Sequence, residues 1–228
     1  MRLATLRALN DAQREGRAIV RATDLDTGEE RLINPLSSET ALDKAATKAA
    51  LADQSGSLEL DGRHWFLSVY NPPLDLVIVG AGHIAQPLAN MAQLANYGVR
   101  IIDPRTSFAT PERFPNVRIS HDWPDEAIAK SPLSLRSALV ALTHDPKIDD
   151  PALLAALNSN CFYVGALGSR KSHHGRLQRL RAAGIDEYSL ARIHGPIGLA
   201  IGARTPAEIA LSILAEITLD LRSAENKP

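Results

Sequence analysis

At 228 residues, with 45% hydrophobic side chains, the chain is long enough for one large domain or for a domain with a small appendage, and it carries the apolar content of a globular core. A net charge of −1, with the 25 lysines and arginines dispersed along the sequence, gives no electrostatic case for nucleic acid, and no apolar run approaches the roughly 18 residues of a membrane span. The single cysteine, Cys161, excludes an internal disulfide and a multi-cysteine zinc cage and suits a reducing cytoplasm.

The first predicted element is a helix from Leu3 to Glu15, with Leu3, Leu6 and Leu9 on one stripe and Gly16 as its stop; Arg2, Arg7 and Arg14 faintly resemble a transit peptide, and an ordinary N-terminal helix is the preferred reading. A hairpin follows, with strands at Ala18–Thr23 and Glu30–Ile33 about the turn Asp26-Thr27-Gly28. After Pro35 an alanine-rich helix is expected, capped by Ser37 or Ser38, with Leu42, Ala45, Ala46 and Ala49 facing inward. A second hairpin pairs Ser57–Leu60 with His64–Tyr70 across Asp61-Gly62, a dipeptide that accepts the two positive φ angles of a type I′ turn. Asn71-Pro72-Pro73 reads as a stiff linker, and a domain boundary is placed there.

Beyond it the pattern changes. The apolar run Leu76–Val79 ends in Gly80-Ala81-Gly82-His83-Ile84-Ala85, and Ile84, Leu88, Met91, Ala92 and Ala95 continue at helical spacing. Strand, glycine turn and helix are the context of a dinucleotide fingerprint: Gly80 allows a tight exit, Gly82 leaves room for a phosphate, and Ala85 stands for the third glycine. The next strand, Val99–Ile102, ends at Asp103, 21 residues beyond Gly82, and an acid about 20 residues on is where a ribose hydroxyl is met. Arg105 could receive a 2′-phosphate, which leaves NAD and NADP both open.

Further strands are predicted at Val117–Ser120, Ser137–Leu142 and Cys161–Val164, with helices opening at Trp123, spanning Asp149–Leu157 with Pro151 near its start, and spanning Ser172–Ala182 with Gly184 at its end. Cys161 reads as a small core residue. The last helix has Thr205 as N-cap, Pro206 at its first position and Glu208 completing a capping box, with Ile209, Ile213, Leu214, Ile217 and Leu221 as the buried stripe. This alternation predicts an α/β fold: a doubly wound, Rossmann-like parallel sheet over 73–228, preceded by a small α+β domain over 1–72.

Four stretches carry candidate chemistry. The first is the glycine turn, where His83 could contact a phosphate and the amides from Ile84 onward face it. Thr143-His144-Asp145-Pro146 sets an imidazole and a carboxylate at a strand end, suited to metal binding or proton transfer, with a turn and helix-cap role for Asp145 and Pro146 as the alternative, so His144 and Asp145 are the catalytic candidates. Gly165 to Arg170 departs from a Walker loop, but Gly168, Ser169 and Arg170 open a helix whose Lys171, His173, His174 and Arg176 add positive potential for an anion. The loop Gly195–Arg204, rich in glycine, could wrap a ligand. No metal-ligand set is indicated.

Taken together, Val79–Ala85, Asp103-Pro104-Arg105, Thr143-His144-Asp145, Tyr163–Arg170 and Gly195–Leu199 through to Ile209 resemble the XdhC/CoxI family, the accessory proteins of xanthine dehydrogenase and related molybdenum hydroxylases. The resemblance covers about residues 74 to 222. It implies a non-catalytic, cytoplasmic protein that binds and protects the molybdenum cofactor, assists its sulfuration with a cysteine desulfurase and delivers it to a hydroxylase apo-enzyme. The cofactor site it implies comprises Gly80, Gly82, His83, Ile84, Asp103, Arg105, Gly165, Gly168, Ser169 and Arg170. Family members usually carry a Gly-Ser-Ser-Pro-Arg and a later Gly-Gly-Cys stretch in the N-terminal domain; this chain has neither, which implies a separate subunit that supplies them or a different mode of binding, and a homodimer is one assembly it allows. Ala200 is a smaller departure, standing where relatives often have a polar residue or proline. The fingerprint by itself fits a second reading, an NAD(P)-dependent oxidoreductase with His144 as proton donor.

Overall fold

The computed structural model describes residues 3–37 and 39–224. Two compact units divide between Pro72 and Pro73: the second is Pro73–Leu221, and the last described residues, 222–224, group with the first.

The first unit contains α1 (Leu3–Arg14), β1 (Ile19–Asp24), β2 (Glu30–Ile33), α2 (Ala41–Leu51), β3 (Gly56–Leu60) and β4 (Arg63–Tyr70). Its antiparallel sheet has the order β2-β1-β4-β3. Alternation along β1 turns Val20 and Ala22 toward a core completed by Ile33, Leu42, Ala46, Ala50, Trp65 and Leu67. Both hairpins form where expected, and Asp61 and Gly62 take φ of +52° and +70°. Two expectations are corrected. The buried stripe of α1 is Thr5, Leu9 and Ala12, with Leu3 and Leu6 exposed, because residues four and three apart share a face whereas 3, 6 and 9 drift off it. The cap of α2 is Thr40, which accepts from the Asp43 amide at 3.1 Å while the Asp43 carboxylate accepts from the Thr40 amide; of the two expected caps, Ser37 lies outside this role and Ser38 outside the described residues.

The second unit contains β5 (Asp75–Val79), α3 (Ala85–Leu94), β6 (Gly98–Ile102), β7 (Arg118–Ser120), α4 (Pro124–Lys130), β8 (Ser137–Ala141), α5 (Pro146–Leu157), β9 (Tyr163–Ala166), α6 (Arg170–Ala182), α7 (Glu187–Leu190), β10 (Ile193–His194) and all but the last three residues of α8 (Pro206–Ala224). The strands form one parallel sheet in the order β10-β9-β8-β5-β6-β7. Strands covered on both faces need runs of apolar residues, and β5 supplies one from Leu76 to Val79. Leu76 and Ile78 face α3 and α8 through Leu88, Ala92, Ile213 and Ile217, while Val77 and Val79 face α4, α5 and α6 through Ile128, Ile148, Leu153 and Leu180. Arg100 on β6 is buried and clasps Asp75 at the start of β5, with Nη2 2.5 Å from Oδ2. The short α7 and the sixth strand β10 were not among the predicted elements.

The chain runs outward from β5 through β6 to β7, then returns beside β5 with β8 and runs outward the other way. The C-terminal ends of β5 and β8 therefore flank the point where strand order reverses, which is where ligands sit in sheets of this kind.

Candidate functional site

The exit from β5 is set by close packing. The Gly80 amide donates to the Ile102 carbonyl at 2.8 Å, holding the turn against the end of β6. Its φ is +102°, and a Cβ there would lie 2.5 Å from Cγ2 of Thr143 at the end of β8, so only glycine fits. Gly82 differs: nothing lies within 4 Å of where its Cβ would be. Ile84 precedes α3 as N-cap and provides no side-chain hydrogen bond, so the cap leaves the first amides of α3 without the usual side-chain acceptor. Beside Gly82 there is open space, the helix start lacks a side-chain cap and His83 is exposed, and the free amides of a helix start attract anions in general.

Asp103 does not serve this place in the way its spacing predicts. It is fully buried, its Oδ2 accepts from the Ala81 amide at 2.8 Å, and its Oδ1 accepts from the Arg105 amide at 3.0 Å. The Arg105 guanidinium adds Nε to Oδ1 and Nη2 to Oδ2, both at 2.9 Å. Burial would raise this carboxyl, but the Arg105 side chain and the two amides outweigh it and hold it below the usual carboxylate range. The carboxylate that the spacing assigns to a ribose has no exposed surface, and both of its oxygens are engaged within the chain, by the glycine turn and by Arg105. The guanidinium of Arg105 also lies 4.5 Å from the Phe108 ring centre, and Asp103, Asp145 and Asp149 raise its already high pKa.

At the end of β8, Asp145 and Pro146 are the N-cap and first residue of α5, with Asp145 Oδ1 accepting from the Lys147 amide at 3.0 Å. This helix starts three residues before the predicted Asp149, because Pro146 already fits its first position and Pro151 is tolerated one turn later. The shift exposes what the sequence reading missed. Asp149 is buried, its Oδ1 accepts from the Thr143 hydroxyl at 2.6 Å, and its Oδ2 accepts from the His144 amide at 3.1 Å. Burial pushes the Asp149 carboxyl up, against hydrogen bonds from Thr143 that lower it. These bonds hold His144 at φ +64° with its side chain exposed.

The third segment is divided. Gly168, at φ +141°, leads into Ser169, the N-cap of α6, whose hydroxyl accepts from the Ser172 amide at 3.1 Å; Arg170 follows, exposed, as the first helical residue. Gly165 is a packing position inside β9: a Cβ would lie 2.5 Å from Ile197 Cδ1 and 2.8 Å from Tyr163 Cε1, which accounts for a glycine there by packing alone. His173 leaves the cationic set, since its ring fills the space beside Gly195 and burial pushes its pKa down. The start of the Gly195–Arg204 loop packs inward, while residues 200–202 are exposed. Ile197 is buried, and the Gly198 amide donates at 2.9 Å to Glu216 of α8. The same carboxylate accepts from the Tyr163 hydroxyl at 2.5 Å and faces His194 at 3.8 Å, whose ring stacks on Tyr163 at 4.6 Å.

Among the described residues no group of three or more His, Cys, Asp or Glu is placed to hold a metal ion, and no helix is long and apolar enough to cross a membrane. Cys161 is buried in the core below β9, and burial pushes its thiol pKa up.

The sequence pattern of the XdhC Rossmann domain matches residues 76–217. Curated relatives include the uncharacterized protein YqeB of Escherichia coli K12, 34% identical over 67% of this chain and 28% of its own. A Bacillus subtilis 168 protein named as a probable xanthine dehydrogenase subunit is 30% identical over 67% of this chain and 44% of its own, and the molybdenum cofactor insertion chaperone PaoD of E. coli K12 is 32% identical over 65% and 40%. The chain thus spans less than half the length of each of these curated relatives. In three dimensions, the crystal structure of a xanthine dehydrogenase from Bacillus halodurans superimposes with a TM-score of 0.73 over 97% of this chain and 68% of that one; at 22% identity it speaks for a shared fold alone.

Proposed function

The chain belongs to the XdhC family, and from that membership we propose that it is an accessory protein of molybdenum-enzyme maturation, which binds the molybdenum cofactor at the C-terminal edge of the β5–β8 sheet and delivers it to a hydroxylase apo-enzyme. The naming of one relative as a molybdenum cofactor insertion chaperone and of another as part of a probable xanthine dehydrogenase supports this reading. The observation that carries it is the position of Asp103. A dinucleotide site offers a carboxylate to the ribose, and here that carboxylate is fully buried and saturated, while the space beside Gly82 and the uncapped start of α3 remain for a phosphate.

A pterin that carries a phosphate fits this arrangement through the Gly80–Ile84 turn, with His83, Arg105, His144, Gly168, Ser169 and Arg170 around the crevice. When bound, the group would supply molybdenum on its dithiolene. The chain's own residues bind the anion and orient it; they need perform no proton transfer. In this reading residues 73–228 form the ligand-binding domain, residues 1–72 a separate small α+β domain, and the protein acts in the cytoplasm with a cysteine desulfurase and a further protein carrying the N-terminal motifs absent here.

Purification alongside a source of molybdenum cofactor, followed by oxidation and pterin fluorescence, tests the proposal. We expect bound pterin in the wild type and its loss in Gly82→Val; absence of pterin together with normal hydroxylase activity in a deletion strain refutes it. The second reading, an NAD(P)-dependent oxidoreductase, is favoured by the strand order and the glycine turn. Micromolar binding of NADH or NADPH would establish it in place of the first.

A further inference from the structure

We propose that the cleft between α5 and α6 is a separate anion site, in which Arg176 takes a phosphate-type tetrahedral oxyanion. This inference does not rest on the cofactor reading, because of the residues that line the two places only His144 is shared. The cleft is a cavity of about 310 Å³. Lys171, Ser172, Gly175, Arg176 and Arg179 form one wall from a single face of α6, and His144, Pro146 and Asp149 form the other.

Arg176 is 4% exposed and lines this cavity, yet only one of its nitrogens is bonded, Nη2 to the Leu167 carbonyl at 2.7 Å. Its Nε and Nη1 are buried without a hydrogen-bond partner. Buried guanidinium donors are almost always paired in folded proteins, and an unpaired one marks a position where an acceptor is due. Asp149 does not supply it: Oδ2 lies 4.0 Å from Nη2, beyond hydrogen-bond range, and its oxygens already accept from Thr143 and His144. Arg179 is held apart from Arg176 by its own pair, Nε and Nη2 on the Asp150 carboxylate at 2.6 and 3.0 Å.

The chemistry of the wall selects the ligand. A planar carboxylate is matched by a single fork of parallel donors. Here the donors are a guanidinium, an ammonium, a hydroxyl and an imidazole drawn from two elements, a set that surrounds a tetrahedral oxyanion better than it grips a plane. Gly175 contributes no side chain to the wall, and the nearest atom to its absent Cβ is Arg179 Nη1 at 3.7 Å, so a glycine that is unfavourable inside a helix keeps the cleft wide. Arg176 shares the cleft wall with Lys171 and Ser172, whose side chains are exposed, and its Nε and Nη1 are the two donors on that wall that are buried and unpaired.

Titration of the full chain with inorganic phosphate, followed by calorimetry, tests this. One saturable site is expected that persists in Gly82→Val and weakens about 10-fold or more in Arg176→Gln, the loss of a charge-assisted contact. If Arg176→Gln fails to fold by circular dichroism, Lys171→Glu, at an exposed position, should weaken the same site by a similar factor. A phosphate monoester that binds more tightly than phosphate identifies a phosphorylated organic ligand, and equal binding a free oxyanion; both support the site. Absence of saturable binding, binding unchanged by both α6 variants, or acetate binding as tightly as phosphate overturns the proposal. Loss of phosphate binding in Gly82→Val alone would place the anion in the switch-point crevice and overturn it as well.

Discussion

Alanine at Gly80 and alanine at Gly82 should have opposite consequences, although the two glycines are two residues apart in one turn. At Gly80 a side chain meets two penalties. Its φ of +102° lies outside the range of L-residues, a strain of about 1–3 kcal/mol. Its Cβ would also lie 2.5 Å from Thr143 Cγ2 and 3.1 Å from the Thr143 amide, and overpacking of this kind adds about 1–3 kcal/mol. The sum, about 2–6 kcal/mol, is a large part of the ~5–15 kcal/mol that holds a typical domain. At Gly82 no atom lies within 4 Å and φ is outside the left-handed region, so alanine costs no contact; a change within about 1 kcal/mol of wild type is expected, in the stabilising direction where backbone entropy of the unfolded chain dominates. Urea unfolding followed by circular dichroism measures both. A Gly80→Ala protein within about 0.5 kcal/mol of wild type, or a Gly82→Ala protein as damaged as Gly80→Ala, would refute the division of the turn into a packed glycine and an open one.

Two further variants test the electrostatics by their pH dependence. Asp103 titrates below its unfolded value of about 3.9, so its contribution is present above about pH 4 and lost as pH falls through the folded value; Asp103→Asn should cost about 1–3 kcal/mol at neutral pH and flatten the acid limb of a stability-against-pH curve, whereas an unchanged acid limb would show the carboxylate to be idle. The His194 pKa is raised by the Glu216 carboxylate 3.8 Å away, against burial, so its contribution is full below about pH 6.5 and disappears as pH rises through the folded value. In Glu216→Gln the imidazole signals of His194 should titrate at lower pH than in the wild type, and an unmoved midpoint would mean that the 3.8 Å pair carries no coupling.

What the sequence made legible follows from which forces act locally. The β5 run, the Asp61-Gly62 turn and the Thr205–Glu208 capping box are decided by neighbours within four residues, and each formed as expected: Glu208 accepts from the Thr205 amide at 2.9 Å and donates its own amide to the Thr205 hydroxyl at 3.2 Å. Long-range partners were not legible. Spacing could place Asp103 near a ribose, but its burial depends on Ala81 and on an arginine that folds back over two residues. Gly165 resembled the other glycines until Ile197, 32 residues later, filled the space above it. Asp149 was within reach of the sequence: reading Pro146 rather than Pro151 as the helix start puts Asp149 one turn in, under Thr143 and His144. The two-residue β10 carries too little pattern to be seen, since its place is given by pairing with β9 and by the His194 ring against Tyr163.

The inward carboxylate of Asp103 bears on what such a protein could carry in a cell. Nicotinamide nucleotides are ubiquitous, and a carrier built on their binding fold would be occupied by them if it kept the acidic ribose hook. With that hook folded under Arg105, the proposed site would keep its seat for a phosphate while the feature that distinguishes an adenosine nucleotide from other phosphorylated molecules is withdrawn. One internal ion pair would thus act as a filter, keeping the seat vacant for a scarcer guest without any clash built against the common one.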